Sequence, residues 1–144
     1  IDEKKIKQGI KSLGYCVNDT NDTNNTLLMD GSESIGGHHK GMRPMQLLLV
    51  SIGGCSAIDI ISILKKQRQD IQDFQVEVES DSIKVEDHSV YKDIEVKFLI
   101  QGTVDLDKAK RAAELSFTKY CSVSKALEYG SNVSHSVYVN GQLA

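Results

Sequence analysis

From Pro44 to Ile58 the chain carries no charged side chain, and apolar residues continue past Asp59 to Leu64. A proline suits the first turn of a helix, where its missing N–H would have no partner and its fixed φ is already helical. At the other end Lys65, Lys66, Gln67 and Arg68 complement the negative end of a helix dipole. The sequence therefore predicts one long helix from Pro44 to Arg68. Leu47, Leu48, Leu49, Val50, Ile52, Ala57, Ile58, Ile60, Ile61, Ile63 and Leu64 lie on nearly every side of it, which marks a helix surrounded by protein. The uncharged run is shorter than the roughly 18–20 apolar residues that span a bilayer, so a buried core helix is expected and no membrane partner.

Such a helix needs other elements to cover it, and the rest of the chain supplies strands. Phe74, Val76 and Val78, then Val90, Ile94, Val96, Phe98 and Ile100, alternate with polar residues, the pattern of strands with one buried face each. A meander is expected. Asp105 can cap a helix over Leu106–Phe117, a second helix over Cys121–Tyr129 stops at Gly130, and residues 133–139 close as a strand. Ahead of the long helix, Leu13–Val17 reads as a short strand, Asn18–Asn25 as a surface loop and Thr26–Asp30 as a second strand. Gly36, Gly37 and Gly41 predict an irregular, flexible and exposed segment up to Met42. A chain of 144 residues has room for a single domain, 1–144. The fold class is α+β, a long buried central helix packed on a mainly antiparallel sheet.

Charge narrows the partners. Seventeen basic and 20 acidic side chains, dispersed for a net charge of −3, give no basic field of the kind nucleic acid requires. Asp2, Glu3, Lys4 and Lys5 stand where an export signal would place an apolar segment, so a cytoplasmic location is expected, where the three cysteines would be free thiols.

Buried cysteine is commonly just a small hydrophobe, and Cys16, beside Tyr15 and a polar loop, is assigned that structural role. Cys55 is different. Gly53 and Gly54 precede it, and each helix-interior glycine costs about 1 kcal/mol relative to alanine, so a neighbouring element approaching closely over them is expected. Ser51, Cys55, Asp59 and Ser62 form one polar stripe at helical spacing, which must face water or line a site. Cys121 is placed at a helix start, where free N–H groups and the dipole predict a thiol pKa below about 8.5, and Lys119 acts in the same direction. Cys55, deep in its helix, has no such help, and Asp59 one turn on opposes its ionisation unless paired. Its activation calls for a cation or donor from elsewhere in the fold. His38, His39, His88 and His135 lack zinc-binding spacing, and no metal is expected. The glycines fit neither the dinucleotide nor the Walker pattern, and no cofactor is expected. His38, His39, Lys40 and Arg43 form a basic edge just before the helix.

Three stretches of sequence, Met42-Arg43-Pro44-Met45-Gln46-Leu47-Leu48-Leu49, Gly53-Gly54-Cys55-Ser56-Ala57-Ile58-Asp59-Ile60 and Lys119-Tyr120-Cys121-Ser122-Val123, resemble the OsmC/Ohr (osmotically inducible, organic hydroperoxide resistance) superfamily, in its YhfA-like branch. The likeness runs from about Leu27 to Val139 in order and spacing. It implies an OsmC-like fold and an intertwined homodimer with sites at the subunit interface. In peroxidase members a peroxidatic thiol attacks an organic hydroperoxide to give a sulfenic acid, and a resolving thiol closes a disulfide. Carried over, Cys55 would be peroxidatic and Cys121 resolving, with an external dithiol as reductant.

Those members also place a glutamate directly after the proline, to hold an activating arginine drawn from the N-terminal region. Met45 occupies that position here, and no arginine precedes Arg43. Gln46 is the polar neighbour, about 100° round the helix, and Arg43 is the candidate replacement cation. Two functions follow. One is a cysteine-dependent organic hydroperoxide peroxidase of oxidative stress defence. The other is a redox sensor or binding protein for a small apolar molecule, without peroxidase turnover, on the same fold.

Overall fold

The computed structural model describes the backbone of residues 9–13 and 16–20, and residues 21–144 with their side chains. The chain divides into two units, one up to Leu48 and one from Leu49 to Ala144.

The first unit holds a three-stranded antiparallel sheet of β1 (Gly9–Leu13), β2 (Cys16–Thr20) and β3 (Thr26–Met29). Leu13 pairs with Cys16, so the segment 13–17, expected as one strand, contains the reversal between two; residues 14 and 15 lie outside those described, as does the Cys16 side chain. Asn18, Asp19 and Thr20 belong to β2 rather than to the loop. The loop that remains is shaped by Asn21, whose Oδ1 accepts from the backbone N–H of Thr23 (3.1 Å) and Asn25 (2.8 Å).

The glycine-rich segment is more ordered than its composition predicts. Asp30 is buried, and its carboxylate accepts backbone N–H groups of Gly31 (2.8 Å), His38 (2.9 Å) and Lys40 (3.1 Å). Those bonds, from His38 and Lys40 foremost, hold its pKa below the ordinary carboxylate range. Gly37 is buried in the same loop, where a side chain would run into the Gly31 carbonyl. A loop with few apolar residues is thus built around one anion.

Helix α1 spans Pro44–Lys66, close to the predicted bounds. The alternating segments form β4 (Asp70–Val85) and β5 (His88–Thr103), a long antiparallel hairpin. Phe74, Val76 and Val78 stand opposite Ile100, Phe98 and Val96, so their shared register puts all six on one face. Asp105 caps α2 (Leu106–Leu115) as predicted, its Oδ1 accepting the Lys108 N–H at 2.9 Å. Then the chain widens into a π-helical turn, Ser116–Tyr120, before α3 (Ser122–Leu127), β6 (Asn132–Val139) and β7 (Gln142–Leu143).

The sheet order is β4-β5-β6-β7, and β6 runs parallel to β5. Here α2 and α3 form the crossover that a parallel pair demands. The remaining pairings are antiparallel, as the α+β reading expects.

One core unites Ile52, Ile60 and Leu64 of α1 with Ile94, Val96, Phe98 and Ile100 of β5, Val137 and Val139 of β6, and Ala109, Ala112, Ala113 and Phe117. Helix α1 approaches the sheet over Gly53, where a Cβ would stand 3.0 Å from a Val78 methyl and 3.4 Å from a Val76 methyl. The predicted close approach holds for Gly53. Gly54 has nothing within 4 Å of a Cβ placed on it. The expectation of a helix covered on every side is not met within the single chain, because Val50 is 50% and Ile58 68% exposed. By length and composition alone α1 could cross a membrane, with a mean hydropathy of 2.2 over its most apolar stretch; here part of that surface rests on the sheet and part is bare.

The two glycines should respond oppositely. Gly54→Ala is expected to stabilise the protein by up to about 1 kcal/mol through helix propensity. Gly53→Leu is expected to destabilise it by about 1–3 kcal/mol through overpacking against β4. Urea denaturation of both variants reads the difference, and equal effects at the two positions would refute the packing argument.

Candidate thiol site

The polar stripe of α1 is graded. Ser51 and Ser62 are exposed at its ends, and Cys55 and Asp59 between them are half-buried. One helical turn puts these two on the same face. Against them comes the end of the α2 crossover. Phe117 fixes that segment on the sheet, packing edge-on to Phe98 (centroids 6.0 Å apart) and stacking on the His135 ring (4.5 Å, interplanar angle 8°). Burial of that ring lowers the His135 pKa, partly opposed by Glu114. The neighbouring Ser116 is fully buried, and its Oγ–H donates to Asp59 Oδ2 at 2.9 Å. This bond ties α1 to the crossover beside Cys55.

The π-helical turn decides where Cys121 falls. Its N–H donates to Ser116 O at 2.7 Å, five residues back, which closes the wide turn and leaves Cys121 as the N-cap of α3. Its Sγ accepts the Ser124 N–H at 3.4 Å, and Ser124 Oγ donates to the Cys121 carbonyl at 3.0 Å. The predicted helix start is therefore present, one residue later than expected. Its predicted consequence is not. Cys121 is 0% exposed, and burial pushes its thiol pKa up despite the bond from Ser124, with Cys55 adding in the same direction. The Lys119 Nζ lies over the Tyr120 ring at 5.2 Å.

One sulfur from Cys55, one from Cys121 and one oxygen from Asp59 all lie within 4.8 Å of one another. Both cysteines are free thiols. Three of the residues singled out in the sequence are thus brought together. Arg43 and Gln46 belong to the first unit, where the Arg43 backbone N–H donates to Gln46 Oε1 at 3.0 Å, a capping contact of the α1 start. Arg111, in the second unit, pairs with Glu114 at 3.5 Å. Ser116 and Phe117 were not legible as site residues. Nothing in the pattern of a serine and a phenylalanine at a helix end signals the wide turn that aims them inward.

The family model of OsmC-like proteins matches residues 37–136, and the chain belongs to this family, in its YhfA-like branch. It is 40% identical over 114 residues to protein YhfA of Escherichia coli (strain K12), covering 78% of this chain and 81% of that one. The fold is similar to that of a hypothetical protein from Aquifex aeolicus VF5, at 27% identity, 96% and 99% coverage and a TM-score of 0.79. It is also similar to that of an organic hydroperoxide resistance protein from Elizabethkingia anophelis, at 16% identity, 96% and 98% coverage and a TM-score of 0.73. The last likeness speaks for the fold alone.

The raised pKa of Cys121 sets a direction that can be measured. The fold favours the neutral thiol, so its contribution to stability is present below the unfolded-state pKa of about 8.5 and is lost as pH rises through the higher folded value. In a Cys16→Ser, Cys55→Ser background, ultraviolet thiolate absorbance, taken as a difference against the variant that also carries Cys121→Ser, should rise above the ordinary thiol range. A midpoint below about 8.5 would show that the helix start, and not burial, controls this thiol.

Proposed function

We propose that this protein is a thiol-dependent reductase of organic hydroperoxides that works as a homodimer, with Cys55 attacking and Cys121 resolving. The observation that carries the reading is the pairing of a half-buried thiol with a fully buried one inside a 4.8 Å cluster. The accessible Cys55 meets the substrate. Its thiolate sulfur attacks the terminal oxygen of the hydroperoxide, the O–O bond breaks, and the alkoxide leaves and takes up a proton as the alcohol. Cys55 is left as a sulfenic acid. Cys121 then attacks the Cys55 sulfur, an S–S bond forms, and hydroxide departs as water with the Cys121 proton. Asp59, held by Ser116, stands within reach of both sulfurs to relay that proton. An external dithiol supplies the two electrons that reopen the disulfide. Full burial of Cys121 keeps it out of competition with Cys55 for peroxide. A reducing cytoplasm, with a role in oxidative stress defence, matches a pair that must return to the dithiol form.

The bare side of α1 argues for the second subunit. Val50 and Ile58 are large apolar side chains exposed on a helix that elsewhere joins the core, and Ile58 lies one turn from Cys55. A second copy covering them would complete the burial that the α1 sequence predicts. A second reading, ligand binding or redox sensing without turnover, is favoured by Met45 in place of the family's glutamate. It would use the apolar groove of about 400 Å³ beside α1, lined by Val50, Gly53, Gly54, Val76 and Val78.

One equivalent of an alkyl hydroperoxide should produce a Cys55–Cys121 disulfide seen by peptide mass spectrometry. Cys55→Ser should abolish it, and Cys121→Ser should halt at a sulfenic acid trapped by a dione reagent. Oxidation of Cys55 no faster than that of a free thiol, together with a rise in melting temperature on adding a small apolar ligand, would replace this reading with the second.

Sedimentation of the native protein should give twice the chain mass, and Ile58→Asp should shift it to a monomer. A monomeric native protein at micromolar concentration would refute the dimer.

A further inference from the structure

The cluster of Cys55, Asp59 and Cys121 has a property that disulfide chemistry does not use. We infer that, with both thiols reduced, these three side chains bind one zinc ion per chain. The ligand set suits it: two sulfurs and one carboxylate oxygen are a soft, low-coordination combination that selects zinc over magnesium or calcium, which take oxygen donors alone. The size suits it as well. Around a tetrahedral zinc, with Zn–S near 2.3 Å and Zn–O near 2.0 Å, the donor atoms stand roughly 3.5–3.8 Å from one another. Here all three lie within 4.8 Å, so contraction by about 1 Å, within the reach of side-chain torsions, closes the site.

Two further features distinguish this cluster from a chance gathering of donors. Its carboxylate is already held in place, with Oδ2 engaged by the buried Ser116 Oγ–H at 2.9 Å. Ordered outer partners of this kind are what hold a ligating carboxylate in place. The cluster also opens on one side, since Cys55 and Asp59 are half-buried whereas Cys121 is covered. Three protein ligands with an approach from solvent leave the fourth position to water, the arrangement of zinc sites that remain accessible. The dication also offsets most of the negative charge that two thiolates and a carboxylate would otherwise concentrate there.

A sulfur cannot be a disulfide partner and a zinc thiolate together, so oxidation of the pair releases the ion and bound zinc protects the pair from oxidation. The histidines, at the wrong spacing in sequence, take no part. Zinc binding needs only the reduced cysteines, so it stands apart from the hydroperoxide reading and is tested without peroxide.

The reduced protein is titrated with zinc against a chromophoric chelator and, separately, with cobalt(II). One equivalent should bind, with a sulfur-to-cobalt charge-transfer band, and prior oxidation to the disulfide should abolish both. Asp59→Asn should weaken binding at least tenfold, and Cys55→Ser or Cys121→Ser more than a hundredfold, while Cys16→Ser changes neither stoichiometry nor spectrum. Ser116→Ala, which leaves all three ligands in place, should weaken binding severalfold. Binding that survives the Cys55→Ser, Cys121→Ser double variant, or a cobalt spectrum without the thiolate band, would overturn the assignment.

Discussion

Val76 and Val78 leave Gly53 room for a hydrogen atom and little more. That contact sets the height of α1 above the sheet, and the thiol site depends on the height. The crossover after α2 is seated separately, through Phe117 on Phe98 and His135. Only when both elements lie at their proper distance from the same sheet do Asp59 and Ser116 meet, and with them the two sulfurs. A glycine in mid-helix costs about 1 kcal/mol in propensity. Here the cost is offset by close packing, and the Asp59–Ser116 bond fixes the result.

The long elements were legible because their signals are local and repeated. Pro44 and the Lys65–Lys66 end bounded α1, Asp105 capped α2, and alternation at 74–78 and 94–100 gave the β4–β5 hairpin and its buried face. What escaped the sequence was set by distant partners. The parallel pairing of β6 with β5 follows from the crossover route, which no stretch of residues encodes alone. Asp30 organises the glycine-rich loop through N–H groups as far along as Lys40, so a segment that reads as loose is held by one carboxylate. In the first unit a single strand was read over Leu13–Val17, where Leu13 ends β1 and Cys16 begins β2.

Cys121 shows why a reading of one residue and its neighbours can find the place and miss the chemistry. A helix start favours an exposed anion by about 0.3–1 kcal/mol. Taking a charge out of water costs several kcal/mol. The sequence displays the first effect and conceals the second, which arises from everything packed over the sulfur. The thiol at the helix start is kept neutral, and the one in mid-helix is the one solvent reaches.

The wide turn between α2 and α3 carries a consequence for how such a site can arise. A π-helical turn is an α-helix with one residue too many, the extra residue absorbed by a hydrogen bond that reaches back five positions instead of four. Without that residue, everything after Ser116 would rotate by about 100° about the helix axis. Cys121 would turn away from Cys55, and the crossover could run on as an ordinary helix. The one extra residue in the turn is thus what brings Cys121 round to face Cys55 and Asp59.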